Sequence, residues 1–202
     1  MAADDEENAS VGFASDLGRT IAFSDGVFAI AITLLVLSID IPDGFARKEL
    51  GEFIRDEWPQ FFAYFLSFAV IGRFWVSHHA QFAMLRVIDP RLVVINLVYL
   101  AFVCLIPYPT NLLGGFNESS VSVALYALVV GVASLLALVM IRYTRRHDLL
   151  VPVAAARAAA SERALIVPPI VFLGSIPFAF LIPSQTPFIW LLLAVDGRFR
   201  RS

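Results

Sequence analysis

Cysteine occurs once in the 202-residue chain, at Cys104. A lone cysteine excludes both a disulfide framework and a cysteine-based metal site within one subunit. Charge is also scarce, at 16% of residues, where soluble domains carry roughly 25%. The sequence has no HExxH or GxSxG pattern, and its three histidines are His78, His79 and His147. A membrane-embedded enzyme, which needs a convergent nucleophile, metal or acid–base set, is therefore disfavoured. No basic stretch resembles a nucleic-acid surface, so no nucleic-acid partner is expected. The segment before the first apolar run is acidic and lacks the basic n-region of a signal peptide.

Hydrophobic residues make up 59% of the chain, beyond the roughly 45–50% of a soluble domain. A single core of this size cannot absorb so much apolar surface, so lipid has to cover the remainder. The predicted fold class is an all-α integral membrane protein of six transmembrane helices. A spanning helix needs about 20 mostly apolar residues. The candidates fall near residues 17–39, 58–84, 91–113, 121–141, 164–182 and 187–195. Residues 1–16, with Asp4-Asp5-Glu6-Glu7, read as an acidic disordered tail, and 17–198 as one transmembrane domain. Pro107 and Pro109 should bend or end the third helix, and Pro168-Pro169 and Pro177 interrupt the fifth. The Ala/Arg segment Val153–Arg163 is either a surface helix or the start of the fifth span. The sixth helix is so short that it crosses only in part, or tilts and shares a thinned bilayer.

Lys and Arg set the orientation. With both termini cytoplasmic, the inner side holds Arg19, Arg86, Arg91, Arg142, Arg145, Arg146, Arg157, Arg163, Arg198, Arg200 and Arg201. The outer side holds Arg47, Lys48 and Arg55, so the ratio is eleven to three.

Polar residues inside the spans stand out because a charge at a helix centre costs at least about 2.5 kcal/mol on insertion scales. They are Ser24, Asp25, Arg73, His78, His79 and Asn96. At about 100° per residue, Ile30, Leu34, Leu37 and Phe23 share one stripe of the first helix with Thr33 at its edge. Ser24 and Asp25 point largely away from it. Either the stripe lines a path and the polar pair turns into protein, or Asp25 lines the path and the stripe faces lipid. A plain packing or lipid-facing stripe is a third account. Asp25 can be satisfied by Arg19 or a histidine. His78 and His79 diverge by about 100° and cannot readily share one ion, so no metal site is expected. Trp75 and His79 share a face, and Asn96 is a natural cross-helix partner. Asn117-Glu118-Ser119 is a weak glycosylation sequon.

The run from Arg19 to Leu37, with Phe23-Ser24-Asp25 four residues after Arg19, resembles the R-x3-FSD first-helix signature of the transmembrane protein 175 potassium channel family, the lysosomal channel and its prokaryotic relatives. Phe74-Trp75, His78-His79 and Asn96-Leu97 also fit that pattern. The resemblance implies a homotetramer in a lipid bilayer, with the first helix of each subunit around a central pore. Ile30 would be the tightest constriction, with Thr33, Leu34 and Leu37 as further pore residues. Arg19, Phe23, Ser24 and Asp25 would join Trp75, His78, His79 and Asn96 in a structural or gating network. No cofactor is implied, and potassium would be a transient permeant. The implied activity is a potassium-preferring cation leak in the plasma membrane of a prokaryote. The sequence has no TVGYG filter to supply carbonyl rings. A proton-coupled carrier using Asp25 and His78/His79 is the rival reading, although no inverted repeat of paired broken helices is visible.

Overall fold

A computed structural model describes residues 2–39, 51, 57–116 and 119–195. The outer cations Arg47, Lys48 and Arg55, the cations Arg198, Arg200 and Arg201, and Asn117-Glu118 of the sequon lie outside these. The described residues are α-helical with short 3-10 turns and one isolated β-bridge. We label the helices α1 (Ala2–Leu34), α2 (Trp58–Phe82), α3 (Pro90–Leu105), α4 (Pro107–Gly115), α5 (Ser120–Arg146), α6 (Ala155–Gly174), α7 (Ile176–Ala179) and α8 (Thr186–Val195). Among the described residues, five segments are long and apolar enough to cross a bilayer: Asp16–Ser38, Trp58–Phe82, Pro90–Gly115, Ser120–Arg146 and Pro152–Ala179.

At four places the structure meets, decides or departs from what the sequence predicts, each for a local cause. The first helix reaches back to Ala2, through the segment expected to be disordered, because extending an existing helix costs far less than nucleating one. The third span breaks at Ile106, where Pro107 has no N–H to give the Val103 carbonyl. The Ile106 N–H takes that carbonyl instead, at 3.2 Å. The Ala/Arg segment opens the fifth span, held there by Glu162, which pairs with both Arg142 and Arg145 of α5. α6 also runs straight through Pro168-Pro169, both buried, and stops only at Ser175, before Pro177. Neighbouring helices make such prolines tolerable in a span.

The sixth helix has ten described residues, Thr186–Val195, about 15 Å at 1.5 Å per residue. That is half of the about 30 Å hydrocarbon layer, so these residues do not cross it. Packing fixes the helix instead. Trp190 is buried, stacks on Tyr126 at 5.0 Å and donates from Nε1 to Ser175 Oγ at 3.0 Å.

The core centres on α5. Of its spanning window 61% is buried, against 22% for α1, so α5 is the axis of the subunit and α1 lies at its edge. Small residues let neighbours approach α5 closely: a Cβ added at Gly131 would lie 2.5 Å from Leu173 Cδ2 and 2.7 Å from its Cγ. The start of α3 is fixed by Asp89, which caps it by accepting from the Leu92 N–H at 2.7 Å and from the Tyr143 hydroxyl of α5 at 2.6 Å. Beside it, the loops after α2 and α5 form a short antiparallel bridge, Leu85 to Leu150. Gly131→Val should force α5 and α6 apart and lower stability by about 1–3 kcal/mol. Thermal unfolding of the purified protein in detergent would read this, and an unchanged midpoint would contradict the close approach.

Candidate functional site

Two faces of α1 meet different surroundings. Ser24, Phe28, Ala31, Leu35 and Ser38 are buried, at spacings of four and three that trace one helical face. This face packs on α2 and α3 and, through the turn at Leu35–Ser38, on α4. The opposite side carries Phe23, Ile30, Leu34 and Leu37, at 56%, 60%, 43% and 68% exposure, with exposed Thr33 beside them. The separation derived from the helical wheel is thus present, and Ser24 points away from the Ile30 side. Thr33 spends its hydroxyl on the Ile30 carbonyl at 2.9 Å, so its proton is committed within the helix.

After Leu34 the backbone tightens into a 3-10 turn, Leu35–Ser38. In that winding residues three apart eclipse one another. Leu37 therefore comes into line with Leu34 and no longer sits about 60° behind it as in an ideal α-helix.

A directed chain of hydrogen bonds holds the buried face. The His78 ring Nε2 and Asn96 Oδ1 are 2.8 Å apart, and the Asn96 amide donates to Ser24 Oγ at 3.0 Å. Ser24 passes its own proton to the Thr20 carbonyl at 2.8 Å. Asn96 Oδ1 can only accept, so Nε2 of His78 carries hydrogen. Three helices, α1, α2 and α3, are joined by two side-chain contacts through one amide. Aromatic rings enclose the histidine: Phe82 stacks at 4.1 Å, Tyr99 at 5.8 Å, and Phe28 lies at 5.5 Å.

Asp25 takes a different partner from either one foreseen. Trp75 Nε1 donates to its Oδ1 at 2.9 Å, near the surface of the subunit, in place of Arg19 or a histidine. His79 is exposed and lies against Trp75 at 6.0 Å, whereas His78 is 1% exposed. The two histidines point apart as their adjacency requires. Arg19 and Phe23 are exposed and stand outside the hydrogen-bonded cluster of the described residues. Arg73 is half-buried and is not without a partner. Among the described residues no group of three His, Cys, Asp or Glu could hold a metal ion.

The sequence reading passed over Phe28, Phe82 and Tyr99. Their signal was present in the spacing: Phe28 follows Ser24 by four, Phe82 follows His78 by four, and Tyr99 follows Asn96 by three. It also missed a second polar cluster, in which the Ser67 hydroxyl lies 2.8 Å from that of Thr110 and 3.0 Å from that of Tyr126.

Replacing Asn96 by Leu strands a buried hydroxyl and a buried imidazole at once. It should cost about 1–3 kcal/mol, while Trp75→Phe, at an exposed bond, should cost under about 1 kcal/mol. Equal shifts of the unfolding midpoint for the two variants would show that the buried chain does not anchor α1.

The model of a protein family described as endosomal/lysosomal potassium channel TMEM175 matches residues 19–107. A potassium channel of Streptomyces collinus is 42% identical over 119 residues, covering 57% of this chain and 58% of that protein. A potassium channel of Chamaesiphon minutus is 39% identical over 118 residues, covering 56% of this chain and 58% of that protein. The chain thus spans less than two thirds of the length of these relatives. The crystal structure of a TMEM175 homolog from Chamaesiphon minutus, described as a lysosomal potassium-selective channel homolog, superposes with a TM-score of 0.78 at 29% identity. It covers 92% of this chain and 98% of its own. The matched segment runs from Arg19 through α1, α2 and α3 and so includes Ser24, His78 and Asn96, while the structural likeness takes in the remaining helices; over these residues the chain is similar to the TMEM175 family.

Proposed function

We propose that the protein is a potassium-preferring cation channel that assembles as a homotetramer, with α1 of each subunit around a central pore. One observation carries this reading: the buried hydrogen-bonded face of α1 fixes the rotation of the helix and leaves Ile30, Leu34 and Leu37 turned away from the subunit. Four copies of that face would make an apolar tube with Ile30 at its narrowest ring. Such a ring offers no strong ligands, so an ion must give up part of its hydration shell to pass. Potassium does so at lower cost than sodium, and hydrophobic constrictions can also close by dewetting. Thr33, with its hydroxyl proton held by its own helix, presents an oxygen beside the ring. The network of Ser24, Asp25, Trp75, His78 and Asn96 serves as the anchor of the pore helix, with Arg19, Phe23 and His79 at its border.

The relatives are named as channels, which favours permeation over the carrier reading of Asp25 and the histidines and over any enzymatic role. Asp25 is also hydrogen-bonded near the subunit surface, not set in a central cavity. The excess of Arg on one side supports cytoplasmic termini, and the bacterial relatives support a prokaryotic plasma membrane.

In planar bilayers, Ile30→Asn should raise unitary conductance several-fold and reduce the preference for potassium over sodium, because an amide ring replaces part of the lost hydration. Unchanged conductance and ion preference would remove Ile30 from the pore. Separately, light scattering after size exclusion should give the mass of four 22.3 kDa chains. A monomeric mass would leave α1 no ring to build.

A further inference from the structure

At the end of the subunit where α2 and α5 stop and α6 begins, the chain makes a site that the channel reading does not use. The loop after α2 and the loop after α5 lie antiparallel, joined by Arg86 N–H to the Leu149 carbonyl at 2.8 Å and Val151 N–H to the Met84 carbonyl at 2.9 Å. Beside this bridge opens a cleft of about 460 Å³, lined by Arg86, Thr144, Arg145, Asp148, Val151 and Ala155 among others. That volume falls in the range of about 300–1,000 Å³ usual for small-ligand sites.

The cationic groups come from separate elements. Arg86 follows the last turn of α2 by four residues and has no carboxylate partner among the described residues. Arg145 shares Glu162 with Arg142, so that trio keeps one net positive charge. Each contributing segment is at the end of a membrane span, which places the cleft at the level where lipid phosphates lie. Its other walls are apolar, formed by Leu150, Val151 and Pro152, and the adjoining Val153 is 92% exposed. A fully exposed valine beside an arginine-lined cleft suits contact with lipid better than contact with water. Asp148 also lines the cleft, in a left-handed backbone conformation at φ 53°. Its carboxylate repels a bare anion and accepts hydrogen bonds from hydroxyl or ammonium groups, such as phospholipid headgroups carry next to their phosphate.

We propose that this cleft binds the phosphate of a phospholipid headgroup, with Arg86 and Arg145 as its cationic ligands and Asp148 receiving the polar group beyond it. Guanidinium groups suit this ligand because they can donate two parallel hydrogen bonds to phosphate oxygens.

The test uses the full-length protein in detergent, with short-chain phosphatidylglycerol as the probe and native mass spectrometry and thermal shift as readouts. Arg86→Gln should weaken binding about tenfold or more, the scale of a lost charge-assisted hydrogen bond. Arg146→Gln removes the same charge from an exposed neighbour outside the cleft and should leave binding unchanged. Glu162→Gln, which frees Arg145 from its ion pair, should keep or strengthen binding, so that loss with Arg145→Gln is not mistaken for loss of the pair. Equal weakening by Arg86→Gln and Arg146→Gln would mean diffuse surface attraction and would overturn the site. Inorganic phosphate supplies the second arm: competition at concentrations equal to the lipid keeps the phosphate site and assigns it to a soluble anion. Failure to compete, with the Arg86 effect intact, assigns it to lipid.

Discussion

One side-chain amide determines how the first helix is set into the subunit. Asn96 of α3 faces α2 with its oxygen and α1 with its nitrogen, so neither neighbour can rotate without breaking a bond inside an apolar environment. Unsatisfied polar groups in such surroundings are costly, and that cost, more than apolar packing, which grips a greasy helix almost equally at many angles, selects a single rotation for α1. With Ser24 fixed inward, Phe28, Ala31 and Leu35 follow on the same face, and the Ile30 side is left outward. The aromatic rings around His78 exclude water that would otherwise compete for the same bonds.

The rest of the subunit supports that arrangement without sharing its chemistry. α5 is the deepest helix and takes α6 at close range through Gly131. Near one end of the subunit Asp89 ties α3 to Tyr143 of α5, so the helix that carries Asn96 is itself attached to the axis. Farther along, the Ser67, Thr110 and Tyr126 hydroxyls tie α2 and α4 to α5. Thr110 also donates to the Ile106 carbonyl at 2.8 Å, at the point where the proline interrupts the span.

Much of this was readable in the residues. Apolar length marks the spans, and the wheel separates Ser24 from Ile30 because both depend only on helical periodicity. Polar residues in apolar runs mark Asn96 and His78, since few reasons exist to keep them there. What could not be read is which polar residue meets which. Asp25 takes the Trp75 indole in place of Arg19 or a histidine, a choice made by how far α1 and α2 slide along each other. The fate of Pro168-Pro169 was equally illegible, because whether a proline ends a helix depends on the neighbours that compensate for the missing hydrogen bond. Trp190 gave no periodic signal for its role, as its partners Ser175 and Tyr126 come from other helices.

The tight turn at Leu35–Ser38 has a mechanical consequence for the helix that bears it. A 3-10 residue rises about 2.0 Å where an α residue rises about 1.5 Å, and turns about 120° instead of about 100°. Over four residues the difference comes to about 2 Å of extra length and about 80° of extra twist. The end of α1 is therefore a wound spring in geometry: rewinding those four residues as α-helix would shorten the helix by less than the width of an atom pair, yet swing Leu37 out of line with Leu34. Small axial displacements at this end translate into large changes of azimuth, and the side chains best placed to show it are the two leucines that the present winding holds in register.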